Sequence, residues 1–346
     1  MHESIFSSAI RSFFIAIFTI LGLLVGGVVV VIAVASMSTT AESGPQIYYN
    51  YSPSILPNAS GIRKELPSTT PVILQVNING LIGANNLTQK KVESLLIESR
   101  ERSLKNNRVK AVLLHINSPG GTVTDADGIY RAIEAYKHQY QVPVYAFTDG
   151  ICASGGLYIA AAADKIYASD ITLVGSIGVL LPTLLNFSKV METIGIQSLT
   201  LYDGKGKDDL NPLRPWVKGE EDNTKAAIEY YYGMFVDIVT HRRPELDKEK
   251  LINVYGASVY PAKIAKEYGY IDEHGYSLSD TIKLLAEKIG IHDDNYQLVE
   301  LTSNSWVSEL FDSRSTLFSG NITHQIELKG ELPSELQNKF LYLYRQ

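Results

Sequence analysis

The segment Ala153-Ser154-Gly155-Gly156 places one hydroxyl beside two residues without side chains, in a stretch with no histidine near it. Upstream stands Asn117-Ser118-Pro119-Gly120-Gly121, and downstream Gly204-Lys205-Gly206-Lys207-Asp208. Amide hydrolysis needs an atom to attack the carbonyl, a group to take that atom's proton, and backbone donors to hold the developing oxyanion. Ser154 offers the hydroxyl at the start of a small-residue helix, where free N–H groups favour negative charge. Gly155 and Gly156 let the backbone approach a substrate closely. Gly120-Gly121 after Pro119 suits a turn that aims an N–H at a neighbouring site.

The base is the discriminating residue. The histidines are His2, His115, His138, His241, His274, His292 and His324, and none falls between Ser154 and Lys207. Lys207 sits in a loop with glycines on its approach, with Lys205 as its nearest rival. A lysine is a general base only when neutral, so such a site must bring its pKa down from about 10.4. Ser176, in Gly175-Ser176-Ile177-Gly178-Val179, could hydrogen-bond a lysine amine and orient it. Each piece also has a plain reading: a helix-capping serine, an ordinary Pro-Gly-Gly turn, solvated surface lysines. Cys152, the one cysteine, excludes an intrachain disulfide and a cysteine-based zinc cluster. It neighbours Ser154 but reads as a small buried thiol, with no histidine near it in sequence to make the thiolate.

The elements that must position these residues alternate. Strand patterns cover residues 72–76, 109–116, 142–147, 165–169 and 196–201, and helical patterns cover 125–140, 154–163, 184–194 and 220–241. Thr88 is placed to cap a further helix with Val92, Leu95 and Leu96 on its inward face. This alternation predicts an α/β fold with a mainly parallel sheet covered by helices. Gly120-Gly121 follows the strand over 109–116 directly, at the C-terminal end where open α/β sheets place their ligands. Leu180, Leu181, Leu184 and Leu185 read as core, with the lining of an apolar substrate groove as the alternative.

The chain has 346 residues, 45% of them hydrophobic, and a formal net charge of -6. That charge argues against nucleic acid as a partner, because phosphate binding needs a basic face. Residues 12–35 carry no charge. As a helix they would span roughly 36 Å, more than the ~30 Å hydrocarbon core. Arg11 precedes the run and Glu42 is the first charge after it, which orients residues 1–11 to the cytoplasm. A transmembrane anchor is thus expected over 12–36, with a cleaved signal peptide as the competing reading. Residues 37–70 read as a linker, 71–292 as the catalytic domain, and 293–346 as a tail or accessory element with one strand-like run over 297–301.

Taken together, the chain resembles the signal peptide peptidase A (protease IV) family of serine-lysine proteases, in its short membrane-anchored form. The resemblance is carried by 117–121, 153–163, 175–179, 204–208 and the run from Tyr255-Gly256 through Ala265, Gly269, Ile271, Asp272 and Gly275. Leu157 departs from the family's usual Tyr, as do Pro261-Ala262 from its Thr-Gly pair and Gly206 from an aromatic. The resemblance implies a twisted sheet with flanking helices like that of Clp protease and the crotonases. It implies Ser154 as nucleophile, Lys207 as base, Gly121 and Gly155 as oxyanion donors, and Ser176 as the residue positioning the lysine. It implies no metal or organic cofactor and a homo-oligomeric ring. The expected function is cleavage of remnant signal peptides and other membrane-associated or unfolded peptides at the extracytoplasmic side of the inner membrane. The alternatives are a crotonase-like acyl-CoA enzyme and a non-catalytic ring scaffold.

Overall fold

The computed structural model describes residues 14–23, 25–27, 51–84, 87–303, 336 and 339–344, in two compact units, Met1–Tyr48 and Tyr49–Gln346. In the first unit, residues 14–23 and 25–27 are helical, with Phe14, Phe18, Leu21 and Leu23 exposed. Among the described residues no helix is long and apolar enough to cross a membrane. The anchor expected over 12–36 includes residues 12–13, 24 and 28–36, which lie outside the described residues.

The second unit is built on β1 (Tyr51–Leu56), β2 (Val72–Ile82), β3 (Val109–Thr122), β4 (Val144–Ala153), β5 (Lys165–Ala168), β6 (Leu173–Gly175), β7 (Val259–Pro261), β8 (Glu273–His274), β9 (Gln297–Ser303) and β10 (Leu341–Leu343). They form one mixed sheet whose main path runs β1-β9-β2-β3-β4-β5-β8. From β9 to β8 the pairings along that path are parallel. Parallel strands need crossovers, supplied by α1 (Gln89–Glu98), α2 (Val123–Tyr140) and α3 (Gly155–Ala160). The shorter α4 (Ser188–Thr193), the long α5 (Asp222–Arg242), α6 (Ala262–Glu267) and α7 (Leu278–Lys288) complete the helices used below.

Both sheet faces are covered, so β2 and β3 read as near-continuous apolar runs. On one face Val76, Ile78, Leu114 and Ile116 pack with Ile129 and Ile133 of α2, Tyr158 of α3 and Phe235 of α5. On the other, Ile73, Leu113, Tyr145 and Phe147 meet Ile282 and Leu285 of α7. Thr122 and Ser277 cap α2 and α7 by accepting from the N–H groups of Asp125 and Asp280, which fixes where each helix leaves its strand.

Several local expectations are corrected. The stretch read as linker contains β1, an edge strand antiparallel to β9; Pro53 is tolerated there because an edge strand leaves N–H positions free. The helix expected over 184–194 shrinks to α4, where Asn186 Oδ1 accepts the Ser188 N–H. Residues 196–201 alternate like a strand yet find no partner ladder among the described residues and stay exposed. The small-residue helix expected over 154–163 is regular only across α3, and Leu184 and Leu185 are exposed. Within 293–346, β9 sits inside the sheet between β1 and β2, and β10 pairs with β3.

Candidate active site

Strand β4 forks: its first half pairs with β5 and its last residues, Ile151 to Ala153, pair with β6. Ser154 follows at the tip of the fork. Its N–H donates to the Gly175 carbonyl at 2.8 Å, and its own carbonyl accepts the Tyr158 N–H at 2.9 Å. Between these bonds the backbone adopts φ 52°, ψ −119°, a positive-φ conformation that a residue with a Cβ enters only when its surroundings impose it. The side chain makes no capping bond to α3. The helix-cap reading of Ser154 is therefore excluded: Oγ is fully buried and has no hydrogen-bond partner among the described residues. A sharp strand-to-helix turn that presents a serine hydroxyl is the geometry of a nucleophile elbow.

The Asn117–Gly121 turn lies against this elbow. A Cβ on Gly120 would fall 2.7 Å from the Gly155 amide nitrogen, and φ at Gly120 is +103°, so no side chain fits. Ser118, which the sequence reading left without a role, clamps the turn. Its Oγ donates to the Gly80 carbonyl at 2.6 Å and accepts the Gly120 N–H at 3.1 Å. The signal was present, since a serine two residues before a turn glycine commonly bonds that backbone. Asn117 Oδ1 accepts the Ile151 N–H at 3.1 Å and so ties the turn to β4. Ser176 follows the carbonyl that holds Ser154, also has positive φ (57°), and donates its N–H to Ser258 at 2.7 Å.

The other candidates lie elsewhere. Lys207 and Lys205 are exposed, in a loop closed by the Lys207 N–H on the Gly204 carbonyl at 3.2 Å. Arg214 clasps the base of that loop, with Nε 2.5 Å from Asp208 Oδ2 and Nη1 2.6 Å from Glu220 Oε1. The Arg214 hydrogen bonds hold both carboxyls below their ordinary range. Neither lysine bonds Ser154 within one copy of the chain, because Ser154 Oγ is unpartnered. The structure thus brings together Ser154, Gly121, Gly155 and Ser176, and leaves the lysine loop apart from them.

Cys152 is fully buried, and burial pushes its thiol up to about 12, offset only in part by the charge of Arg243. It supplies no thiolate near neutral pH. His115 pairs with Asp149 at 3.1 Å and packs against Phe147, and His274 pairs with Asp170 at 2.7 Å. Among the described residues no group of three or more His, Cys, Asp or Glu is arranged to hold a metal ion.

One occupant of this region escaped the sequence reading. Strand β10 lies antiparallel to the glycine turn, with Tyr342 opposite Gly121. On its other side Leu341 exchanges hydrogen bonds with Leu180, at 2.9 and 3.0 Å.

The sequence profile of peptidase family S49 matches residues 136–292, and that of Clp protease matches residues 82–170. SppA of Enterococcus faecium, named a candidate signal peptide peptidase, is 31% identical over 62% of this chain and 63% of its own length. MJ0651 of Methanocaldococcus jannaschii, named a candidate protease, is 33% identical over 61% of this chain and 66% of its own. The chain thus spans just under two thirds of the length of these two relatives. Another protein named a candidate protease, slr0021 of Synechocystis, is 30% identical over 67% of this chain and 79% of its own length. These matches, on a Clp protease-like α/β fold, establish that the chain belongs to peptidase family S49, the signal peptide peptidase A family.

Proposed function

We propose that the chain is a membrane-anchored serine endopeptidase in which Ser154 is the nucleophile and Lys207 the general base. The observation that carries this reading is the buried, unpartnered hydroxyl of Ser154 on a positive-φ turn against Gly120. A hydroxyl so placed is neither solvated nor used for structure. Neutral Lys207 takes its proton as Oγ attacks the scissile carbonyl. The Gly121 N–H and an amide of the Ser154–Gly155 turn hold the oxyanion, and protonated Lys207 donates to the leaving amine. Water then hydrolyses the acyl-enzyme by the same route. Ser176 positions the lysine amine.

Because Lys207 is exposed in one copy and Ser154 unpartnered, this reading assigns their meeting to assembly. The extension that carries Lys207 exposes Phe187, Ile194, Leu199, Leu201 and Val217. Exposed large apolar side chains of this kind suit an interface between copies of the chain. In this reading residues 12–36 hold the domain on the outer side of the inner membrane, where remnant signal peptides and unfolded segments are its substrates. Export counts against an acyl-CoA substrate, which is cytoplasmic.

The test is hydrolysis of an unfolded fluorogenic signal-peptide substrate by detergent-solubilised protein, with folding and assembly checked for each variant. Ser154→Ala and Lys207→Ala should each lose at least ~10³-fold in kcat, while Lys205→Ala keeps its rate. Mixed oligomers of Ser154→Ala and Lys207→Ala should regain part of the activity, since some interfaces then carry both residues. Activity should rise with pH as the base loses its proton. Undiminished cleavage by Ser154→Ala refutes the assignment.

A further inference from the structure

We infer that Tyr260 is a positioning residue for the proposed hydrolysis: its hydroxyl fixes the turn on which Ser176 rests, and its effect on turnover passes through Ser176. The inference rests on the serine-peptidase reading above and gives a task to the run that starts at Tyr255, which that reading leaves unused.

The path starts beside the nucleophile. The Gly175 carbonyl that accepts the Ser154 N–H belongs to β6, which has β4 on one side and β7 on the other. On the β7 side the Ser176 N–H donates to the Ser258 carbonyl at 2.7 Å, and the Ala262 N–H donates to the Thr172 carbonyl at 2.9 Å. Between these bonds Val174 lies opposite Tyr260. The two segments touch closely because glycine allows it. A Cβ on Gly175 would fall 2.3 Å from the Ser258 carbonyl oxygen, on a φ of +136°, and one on Gly178 would fall 3.0 Å from that of Ala257. Gly175 is also held from the β4 side, opposite Ala153. Ser176, one residue beyond that pairing, depends on Ser258 for its place.

Ser258 in turn needs support. The chain reaches it from a single π turn, Leu251–Tyr255, closed by the Gly256 N–H on the Leu251 carbonyl at 2.8 Å. Such turns are rare and do not propagate, so the ladder ends here. Gly256 then takes φ 57°, ψ −148°, although a Cβ there would meet nothing within 4 Å. Glycine is therefore required by the backbone alone. The Tyr255 carbonyl closes the turn. It accepts the Ser258 N–H at 3.4 Å and the Tyr260 hydroxyl at 2.9 Å, so the shorter of the two bonds comes from Tyr260.

Packing fixes that hydroxyl. Tyr255 stacks on Tyr268 at 4.1 Å and 8°, and Tyr260 meets Tyr268 edge-on at 5.0 Å and 80°. Tyr268 ends α6, and a Cβ on the following Gly269 would fall 2.5 Å from the Leu246 backbone nitrogen. The rings are thus seated against the chain that follows α5. Without the hydroxyl the turn keeps its rings but loses its shorter closing bond, and Ser258 and Ser176 shift with it.

The experiment uses the full detergent-solubilised chain and the fluorogenic substrate, with assembly checked for each variant. A misplacement of about 1 Å costs on the order of 10²-fold in rate. Tyr260→Phe, a smaller disturbance, should lower kcat at least ~10-fold and leave KM within ~3-fold. Tyr296→Phe is the control. Tyr296 Oη accepts the Ala59 N–H at 2.9 Å, beside β1 and β9, and its loss should leave kcat within ~2-fold. A double-mutant cycle separates positioning from general loosening. In a Ser176→Ala background, Tyr260→Phe should cost no more than ~2-fold further, because the link it acts through is already gone. Gly256→Ala, which strains the same turn, should show the same loss and the same coupling, and it stands in should Tyr260→Phe misfold. Losses that multiply in full, a change confined to KM, unchanged kinetics, or a matching loss in Tyr296→Phe overturns the inference; turnover that still depends on Ser154 then leaves the peptidase reading standing. Undiminished turnover by Ser154→Ala overturns that reading and the inference with it.

Discussion

Replacing Asp272 by Asn should destabilise the fold through one buried charge. Asp272 precedes β8, and one of its oxygens bonds Arg243 while also accepting the Ile166 N–H at 2.8 Å. The other oxygen lies 2.7 Å from Lys165 Nζ. The Arg243 side chain is 7% exposed, whereas that of Lys165 is 51% exposed. The solvated Lys165 contact is worth at most ~1 kcal/mol. Leaving Arg243 buried without its counter-ion costs about 3–5 kcal/mol. Asparagine keeps an acceptor for Ile166, so we expect about 3 kcal/mol, or a fall in Tm of roughly 6 °C or more. Burial alone would raise the Asp272 carboxyl, but Arg243 and then Lys165 and the Ile166 N–H outweigh it, so its pKa lies below the ordinary value. A lowered folded-state pKa gives stability that is present above about pH 3.9 and is lost as pH falls through the folded value. The gap between wild type and Asp272→Asn, followed by urea unfolding at a series of pH values, should therefore be full at pH 7 and close below about pH 4. Asp272→Leu combined with Arg243→Met should cost less than Asp272→Asn alone, because no charge is then stranded. A variant within ~1 °C of wild type at pH 7, or a gap that persists unchanged at low pH, would refute the argument.

Two other perturbations test the site. Native protein should resist alkylation by N-ethylmaleimide at pH 7 and Cys152→Ala should keep wild-type turnover, since the buried thiol sits up at about 12; rapid labelling of folded protein would contradict this. Gly120→Ala, whose Cβ would meet backbone atoms at 2.0 and 2.7 Å on a φ of +103°, should lower peptide hydrolysis at least ~100-fold and stability by about 1–3 kcal/mol. Unchanged kinetics and Tm would show that the turn yields more than its packing implies.

The α/β alternation was legible because buried parallel strands leave continuous apolar runs such as Val72-Ile73-Leu74 and Val112-Leu113-Leu114, bounded by turn residues. The serine and its glycines were legible as types and spacing. What spacing could not convey was backbone conformation: nothing local announces that Ser154 takes positive φ, since β4, β6 and the Gly175 carbonyl impose it jointly. Ser118 was readable but passed over as part of a plain turn. Strand β10 was beyond reach for a different reason. Leu341-Tyr342-Leu343 is too short to show a period, and its place is dictated by two edges, Gly121 and Leu180, far away in sequence. The failed strand at 196–201 is the converse case, in which local pattern is right for β and the described residues offer no partner edge.

The fork in β4 separates two kinds of change that a sequence can accumulate. From Lys165 the chain passes through β5 and β6, then runs from residue 181 to 221 without adding a strand to the sheet before α5 begins. The ladder that sets the Ser154 backbone closes on Gly175, before that excursion starts. Residues can be gained, lost or exchanged along the excursion without altering a single register that aims the serine. The Ser154 backbone is thus set by the sheet, whereas the lysine loop and the apolar side chains around it lie outside that ladder. If Ser154 and Lys207 act as proposed, members of such a lineage can keep one reaction while revising what they assemble with and where their base comes from.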